Sequence, residues 1–549
     1  MKTPLCALAL LALVAPGAAT ADTLISNVNG LRVGADGQIH RFNALLIDDS
    51  GKVKSPLEGP PPPTAFKNVV DGKGMTLMPG LIDGHGHVIG LGQALLSLAL
   101  VGASSLDDMK ARLKTYAAAN PDLKWIVGHG WNQELWPAKA FPTAPDLDSI
   151  VADRPVVLTR VDGHALIANS KAMELAKFSA ATPVPSGGRI ENGLFVDAAM
   201  GLIDSVIPDP TPADLDAAFT ASQKAMLAVG LTAVADMGTD VDDWAAYRRA
   251  GDTQTLKVRI FGYAGGLANW EIIHDGVPTG WEYADRLALV GVKLYADGAL
   301  GSRGAFLKAP YSDKPDTRGL SLITPYELLK QADKVAEGGG QLAVHAIGDA
   351  ANAEVITVFE KIGAKYGRYH RPRIEHFQIA DPKDIARLKP AGIVASMQPV
   401  HQTSDRLMAE ARLGPNRLGG AYAWRTIEKL GIPLAFGSDF PVESPNPFPG
   451  LAAAISRQDM AGQPKGGWRP EQKLSITSAL GAYARGAAYA GFAEDKFGSL
   501  EPGTWADFIL IDRDPTKVDA QALARTKVLE TWVAGEQVFS AEGEPAPAR

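Results

Sequence analysis

The sequence predicts an α/β fold: a (β/α)8 barrel joined to a small β-domain assembled from both ends of the chain. Three observations carry this. Eight short apolar runs alternate with helix-like stretches through the middle of the chain. Turn-rich strand patterns occupy both ends. Histidine, lysine and aspartate residues recur at the C-terminal ends of the apolar runs, the face on which barrels carry their active sites.

The elements follow in chain order. Residues 1–21, MKTPLCALALLALVAPGAATA, read as an export leader. Lys2 supplies the positive start, Leu5 to Val14 the apolar run and Ala19-Thr20-Ala21 the cleavage site, with Asp22 as the mature first residue. The apolar run is too short to span a bilayer. Cys6 is the single cysteine, so the mature protein has no disulfide, thiolate ligand or cysteine nucleophile. Export without disulfides points to a periplasm.

Residues 22–77 read as short strands and turns, among them LISNVNG and ALLIDDSGKV, with GPPPPT (59–64) as a loop. TWADFILIDRD (504–514) and LETWVAGEQVFS (529–540) repeat this texture, so residues 22–77 and 500–545 are expected to pair into one composite β-domain. The tail EGEPAPAR is expected to lie outside it.

The barrel is expected over 78–499. Its strand candidates are LIDGH (81–85), TAVADMG (232–238), VRIFGYA (258–264), VGVKLYADG (290–298), QLAVHAIGD (341–349), RIEHFQI (373–379), IVASMQP (393–399) and IPLAFGSD (432–439). Two further runs, KWIVGHG (124–130) and PVVLTRVDGH (155–164), fall in a long interval after the first strand. They read as an insertion of about 120–210 over the barrel mouth. The alternative makes them barrel strands and demotes two others.

Composition sets limits on function. With 46% hydrophobic and 21% charged residues the chain is globular, and 549 residues suffice for a large core and an accessory domain. A net charge of -7 with dispersed basic residues argues against a nucleic-acid surface or a polybasic membrane patch. The expected partner is a small molecule, and the oligomeric state, a homodimer included, stays open.

The chemistry concentrates at strand ends. Only ten histidines occur, yet His85 and His87 stand one residue apart. Residues i and i+2 on a strand share a face, so both aim at the barrel mouth. Lys293 on the fourth strand, His345 on the fifth, His376 on the sixth and Asp439 on the eighth join them. Four imidazoles and a carboxylate make a metal site of nitrogen and oxygen ligands. Lys293 is the odd member. Burial beside metal ions favours its neutral amine, which reacts with CO₂ to give an anionic carbamate able to bridge two cations. The structural alternative pairs Lys293 with Asp297 or Asp349.

These strings resemble the amidohydrolase superfamily. PGLIDGHGHVIGLG is similar to its first-strand signature. VKLYADGALGSRGA, VHAIGDAAN, RIEHFQ, FGSDFPVESPNPF, GHGWNQELWP, RVDGHALIANS and GSLEPGTWADFILIDRDP resemble the N-substituted formamide deformylase-like (amidohydrolase 3) branch. The resemblance covers nearly the whole mature chain. It implies a distorted barrel with a small β-sandwich from both termini. It implies that His85, His87 and Asp439 bind the more buried metal and His345 and His376 a second. Carboxylated Lys293 would bridge the two. Two zinc ions suit the ligand set, with iron or manganese as alternatives.

The expected activity is hydrolysis of an amide, N-formyl or N-acyl C–N bond outside the peptide backbone by a metal-activated hydroxide, with Asp439 moving the proton. An esterase, lactonase or deaminase on the same scaffold, or a non-catalytic periplasmic binding protein, are the competing readings. Candidate substrate contacts are His129, Trp131 and Trp136, Asp162 and His164, and Arg303, which could hold a carboxylate. For the tryptophans the competing role is packing, and for Arg303 an ion pair. Asp349 and Glu375, beside ligand positions, are candidate orienters of histidine, with barrel-rim salt bridges as the equal alternative.

Overall fold

The computed structural model describes residues 20–61, 66–161, 163, 165–185 and 188–543. The expected leader and the last residues of the tail lie outside this set, apart from Thr20 and Ala21, as do Asp162 and His164. Among the described residues no helix is long and apolar enough to cross a membrane.

Eight strands form one sheet in chain order: β1 (Leu81–Gly86), β2 (Leu231–Thr239), β3 (Arg259–Gly265), β4 (Leu287–Tyr295), β5 (Gln341–Ala346), β6 (Arg373–His376), β7 (Val394–Met397) and β8 (Leu434–Phe436). Every neighbouring pair is parallel. These are the eight expected runs. The strands Ile126–Trp131 and Val156–Arg160 lie in a different sheet, so among the described residues these runs supply no barrel strand.

Alternation sorts the side chains. Val292 and Leu294 on β4, Leu342 and Val344 on β5 and Ile374 on β6 join the large apolar core shared with the surrounding helices. The intervening positions face the barrel interior. There Phe261, Tyr263, Ala343, Val394 and Ala435 pack together with Ala487, Ala488 and Phe497. Lys293, His345, Arg373 and Glu375 fall on the interior parity, which puts polar groups beside this apolar packing.

The sheet closes between β8 and β1. The Asp439 N–H donates to the His85 carbonyl at 2.7 Å, and the His87 N–H to the Phe440 carbonyl at 2.9 Å. The strands approach so closely that a Cβ on Gly84 would meet the Phe436 carbonyl oxygen at 2.7 Å. Asp83 clamps this seam. Its carboxylate accepts from the Ser438 N–H at 2.9 Å, the Ser438 hydroxyl at 2.6 Å and the His85 N–H at 3.0 Å.

Two more sheets make the composite β-domain. Thr76–Pro79 from the front of the chain pairs antiparallel with Phe508–Ile511 from the back, inside a six-stranded sheet. A four-stranded sheet of Thr20–Ser26, Ala44–Ile47, Val53–Leu57 and Phe66–Asp71 accompanies it. Ile25, Leu45 and Val53 from the smaller sheet pack with Leu77, Phe508 and Trp532 from the larger, the arrangement of a sandwich.

The insertion has a sheet of its own, running from Leu98–Ala99 through Ile126–Trp131 and Val156–Arg160 to Leu194–Asp197. It begins upstream of residue 120. The helix Leu106–Ala119 is part of it, because Met109, Leu113 and Ala117 complete its core.

Asp83→Ala removes the acceptor of three seam donors. It should lower stability by about 2–4 kcal/mol. Urea unfolding checks this, and an unchanged midpoint would show that the backbone bonds close the barrel unaided.

Candidate metal centre

Each site residue owes its place to the barrel. His85 lies at the end of β1 and is fully buried; His87 caps the helix Val88–Leu96 and is one-third exposed. Lys293 and His345 sit on β4 and β5, in register with Ala343 and Tyr295 respectively. Strict alternation would turn His376 away from Glu375 and toward the helices. Its φ of 74° breaks the alternation and returns the ring to the mouth. Asp439 has a φ of 62°. Left-handed backbone at two non-glycine residues is strain held by the surrounding structure, and such strain clusters at functional sites.

The side chains converge on Asp439. Its Oδ1 lies 3.1 Å from His87 Nε2 and 3.4 Å from His85 Nε2, and its Oδ2 lies 4.0 Å from His376 Nδ1. Ligating atoms of His85, His376 and Asp439 all fall within 4.8 Å of one another. The His376 ring centre is 4.7 Å from that of His85 and 4.5 Å from that of His345. Lys293 Nζ stands 3.3 Å from His85 Nε2 and 4.9 Å from the centre of the Tyr295 ring.

Electrostatics keep this cluster ready for a cation. Burial, with the Lys293 charge, pushes His85 down to about 3. Burial and neighbouring charged groups hold His345 and His376 well below the ordinary imidazole value. Burial also pushes Lys293 down to about 8, against the pull of Glu375 and Asp439. Burial would raise Asp439, but His85, His87 and His376 overcome it and hold the carboxyl well below its usual range. Neutral imidazoles around an ionised carboxylate are the donor state a divalent metal needs.

The donor set therefore fits a metal. His85, His376 and Asp439 supply that set, three buried residues with ligating atoms within 4.8 Å of one another, while His345 Nε2 lies 3.5 Å from Asp297 Oδ1. Behind His85 stands a built support. His85 Nδ1 lies 2.6 Å from Glu375 Oε2, which directs Nε2 into the site. Glu375 accepts from Arg373 Nε at 2.8 Å and Nη2 at 3.1 Å, and Arg373 reaches the Gly84 carbonyl and the Ser396 and Tyr263 hydroxyls. Burial would raise Glu375, but the Arg373 guanidinium and His85 hold it well below the carboxylate range.

The structure corrects other expectations. Trp131 and Trp136 are buried in the insertion's core, donating to the carbonyls of Leu158 at 2.7 Å and Ala103 at 2.9 Å, so they pack the insertion. Arg303 is held by both oxygens of Asp313, at 3.2 and 2.9 Å, so its fork is already engaged. Asp349 accepts from the Lys308 N–H at 2.8 Å and, among the described residues, orients no histidine. Asp297 accepts from the N–H groups of Phe306, Ile347 and Gly348 and leaves Lys293 to His85. His129 is half-buried on the strand Ile126–Trp131.

One site residue escaped the sequence reading. His401, four residues beyond β7, is buried with Nε2 3.7 Å from Asp439 Oδ2 and its ring stacked at 5.9 Å on His376. The signal for it was positional: β7 was the late strand without a polar candidate, and the proline at 399 hid the continuation of its mouth loop.

A parallel barrel with imidazoles, a lysine and an aspartate at its C-terminal mouth defines a metal-dependent hydrolase. The chain belongs to the amidohydrolase family, whose model matches residues 68–539. YtcJ of Bacillus subtilis (strain 168) is 33% identical over 482 residues, covering 85% of this chain and 89% of its own. N-substituted formamide deformylase of Arthrobacter pascens is 26% identical over 538 residues, 94% of this chain and 97% of that one. The solved structure of an uncharacterized metal-dependent hydrolase from Pyrococcus horikoshii OT3 matches with a TM-score of 0.76 at 28% identity, over 91% of this chain and 99% of its own.

Glu375→Gln weakens the support behind His85 without changing a ligand. Metal affinity should fall about 10–100-fold. Competition against a chelator reads this directly, and wild-type affinity would remove Glu375 from the centre.

Proposed function

We propose that the protein hydrolyses a small-molecule amide, an N-formyl or N-acyl C–N bond outside the peptide backbone. The observation that carries this is the placement of Asp439. One carboxylate oxygen faces His85 and His87, and the other faces His376 and His401. Such a group can take a proton on one side and deliver it on another. The likeness to a formamide deformylase along nearly the whole chain supports the choice of a C–N bond.

His85, His87 and Asp439 would hold one divalent ion and His345 and His376 a second, with zinc suited to these donors and iron or manganese as alternatives. Bound there, the metal lowers the pKa of water and polarises a carbonyl. Asp439, ionised at rest, accepts the proton of the attacking water. A C–O bond forms as the carbonyl π pair moves to oxygen. Asp439 then gives its proton to the amide nitrogen, the C–N bond breaks and the amine leaves neutral. That last transfer matters because an amine anion is a poor leaving group. Lys293 would join the site as a carbamate, its neutral amine adding CO₂ with loss of one proton.

We also propose export on the strength of the leader in residues 1–21. Recovery of protein starting at Asp22 from a periplasmic extract would support it, and retention of Met1 would not.

Asp439→Asn should bind metal yet lose at least about 10²–10⁴-fold in kcat. A screen of N-formyl and N-acyl amides, with metal analysis of both proteins, checks it. Near-normal turnover by the variant sinks this role. Carbamate on Lys293 should give a ¹³C signal from labelled bicarbonate in the wild type and none in Lys293→Ala. In metal-free protein the signal should be stronger above pH 8 than below it, since the amine titrates at about 8 and only its neutral form reacts.

A further inference from the structure

The wall of the site opposite His87 holds polar atoms with nothing to bond. His401 Nε2, Gln378 Oε1 and Gln398 Nε2 are buried and find no hydrogen-bond partner among the described residues. Orphaned buried donors and acceptors cost about 1–3 kcal/mol each and persist where a ligand meets them. Gln398 Oε1 lies 3.0 Å from His376 Nδ1, and Gln378 Nε2 lies 3.2 Å from His401 Nδ1, so both amides brace rings and keep one end free.

The state of His401 follows from its surroundings. With Gln378 donating to Nδ1, the ring proton sits on Nε2. That choice also suits the charges. Nε2 faces Asp439 Oδ2 at 3.7 Å, and a lone pair turned toward a carboxylate would be repelled. At that separation Nε2–H is too far to bond Asp439 itself. It is near enough to reach a group that Asp439 contacts, since two hydrogen bonds of about 3 Å can meet at one substrate.

Resting on the hydrolase reading above, we propose that His401 is a further catalytic residue, whose Nε2–H donates to the substrate's carbonyl oxygen as it becomes an oxyanion. Gln378 is the positioning residue that fixes the tautomer. No bond to His401 forms or breaks. The negative charge that the attacking water pushes onto the oxygen is met by a donor already in place, the arrangement that gives oxyanion holes their effect.

The test uses the full-length, zinc-loaded protein. His401→Leu should keep its metal content and its cobalt-substituted absorption spectrum. It should lose about 10²–10³-fold in kcat, with KM changed far less. His401→Gln, which returns a donor near the same point, should recover at least tenfold of that loss, and Gln378→Met should give an intermediate kcat. If His401→Leu does not fold, His401→Phe, a planar ring without a donor, decides the matter. Wild-type kcat in the folded variant overturns the proposal. Loss of a metal ion from it also does, since His401 would then be a ligand. If the wild type turns over no amide, the hydrolase reading fails and His401 is judged by acetohydroxamate titrated into the cobalt-substituted protein. A tenfold or greater loss of affinity in His401→Leu supports the donor. Equal affinity, or no binding to either protein, overturns it.

Discussion

The site depends on how the barrel closes. β1 and β8 are separated by most of the chain, yet two backbone hydrogen bonds and the Asp83 clamp join them at the mouth. One of those bonds runs from the Asp439 N–H to the carbonyl of His85. The closure bond therefore joins two of the candidate metal donors through their own backbone. A carboxylate and two imidazoles gather around one point where the sheet's two ends meet.

The closure leaves a second problem, the charge inside. Arg373 and Glu375 are wholly buried on the barrel axis. Such a pair is rarely a gain in stability over apolar residues, because both charges lose water. Here the geometry offsets that loss: Arg373 reaches both carboxylate oxygens, a backbone carbonyl and two hydroxyls. What the pair adds is direction. Glu375 fixes the His85 ring, and a ring that cannot turn presents one nitrogen to the site. The buried ion pair is thus best understood through the histidine it holds, one of the three residues able to hold a metal.

Legibility in the sequence followed from period and parity. The eight strands were readable because each is a short apolar run between helical stretches. The positions of His85, His87, Lys293, His345, His376 and Asp439 at or just beyond strand ends were readable because the strands themselves were. Partnerships between distant loops were not readable. Nothing near Arg303 announces Asp313 as its partner, since the pairing depends on a loop fold. Trp131 and Trp136 look alike whether they face a substrate or a core, and only the placement of the carbonyls of Leu158 and Ala103 decides. His401 was missed because β7 ends at Met397 and the chain re-enters the mouth on a helix. His376 was found for an incomplete reason: by alternation it should point outward, and only its left-handed backbone brings it in.

Charge counting ties the lysine to the number of metal ions. Arg373 and Glu375 cancel, and burial holds His85, His345 and His376 toward their neutral forms, so Asp439 is left as the anion of the candidate donor set. Against it stands Lys293, buried beside His85. As an ammonium it would neutralise Asp439 and repel a cation next to it. As a neutral amine it leaves one negative charge, enough to accompany a single divalent ion but poor company for two. As a carbamate it would add a second negative charge and two oxygens beside His85, an anion that two cations could share. Lysine chemistry and metal stoichiometry are consequently one question in this site. Desolvation starts the answer, because a lysine that is nearly inaccessible to water on the barrel axis is already drawn toward its neutral form before any metal arrives.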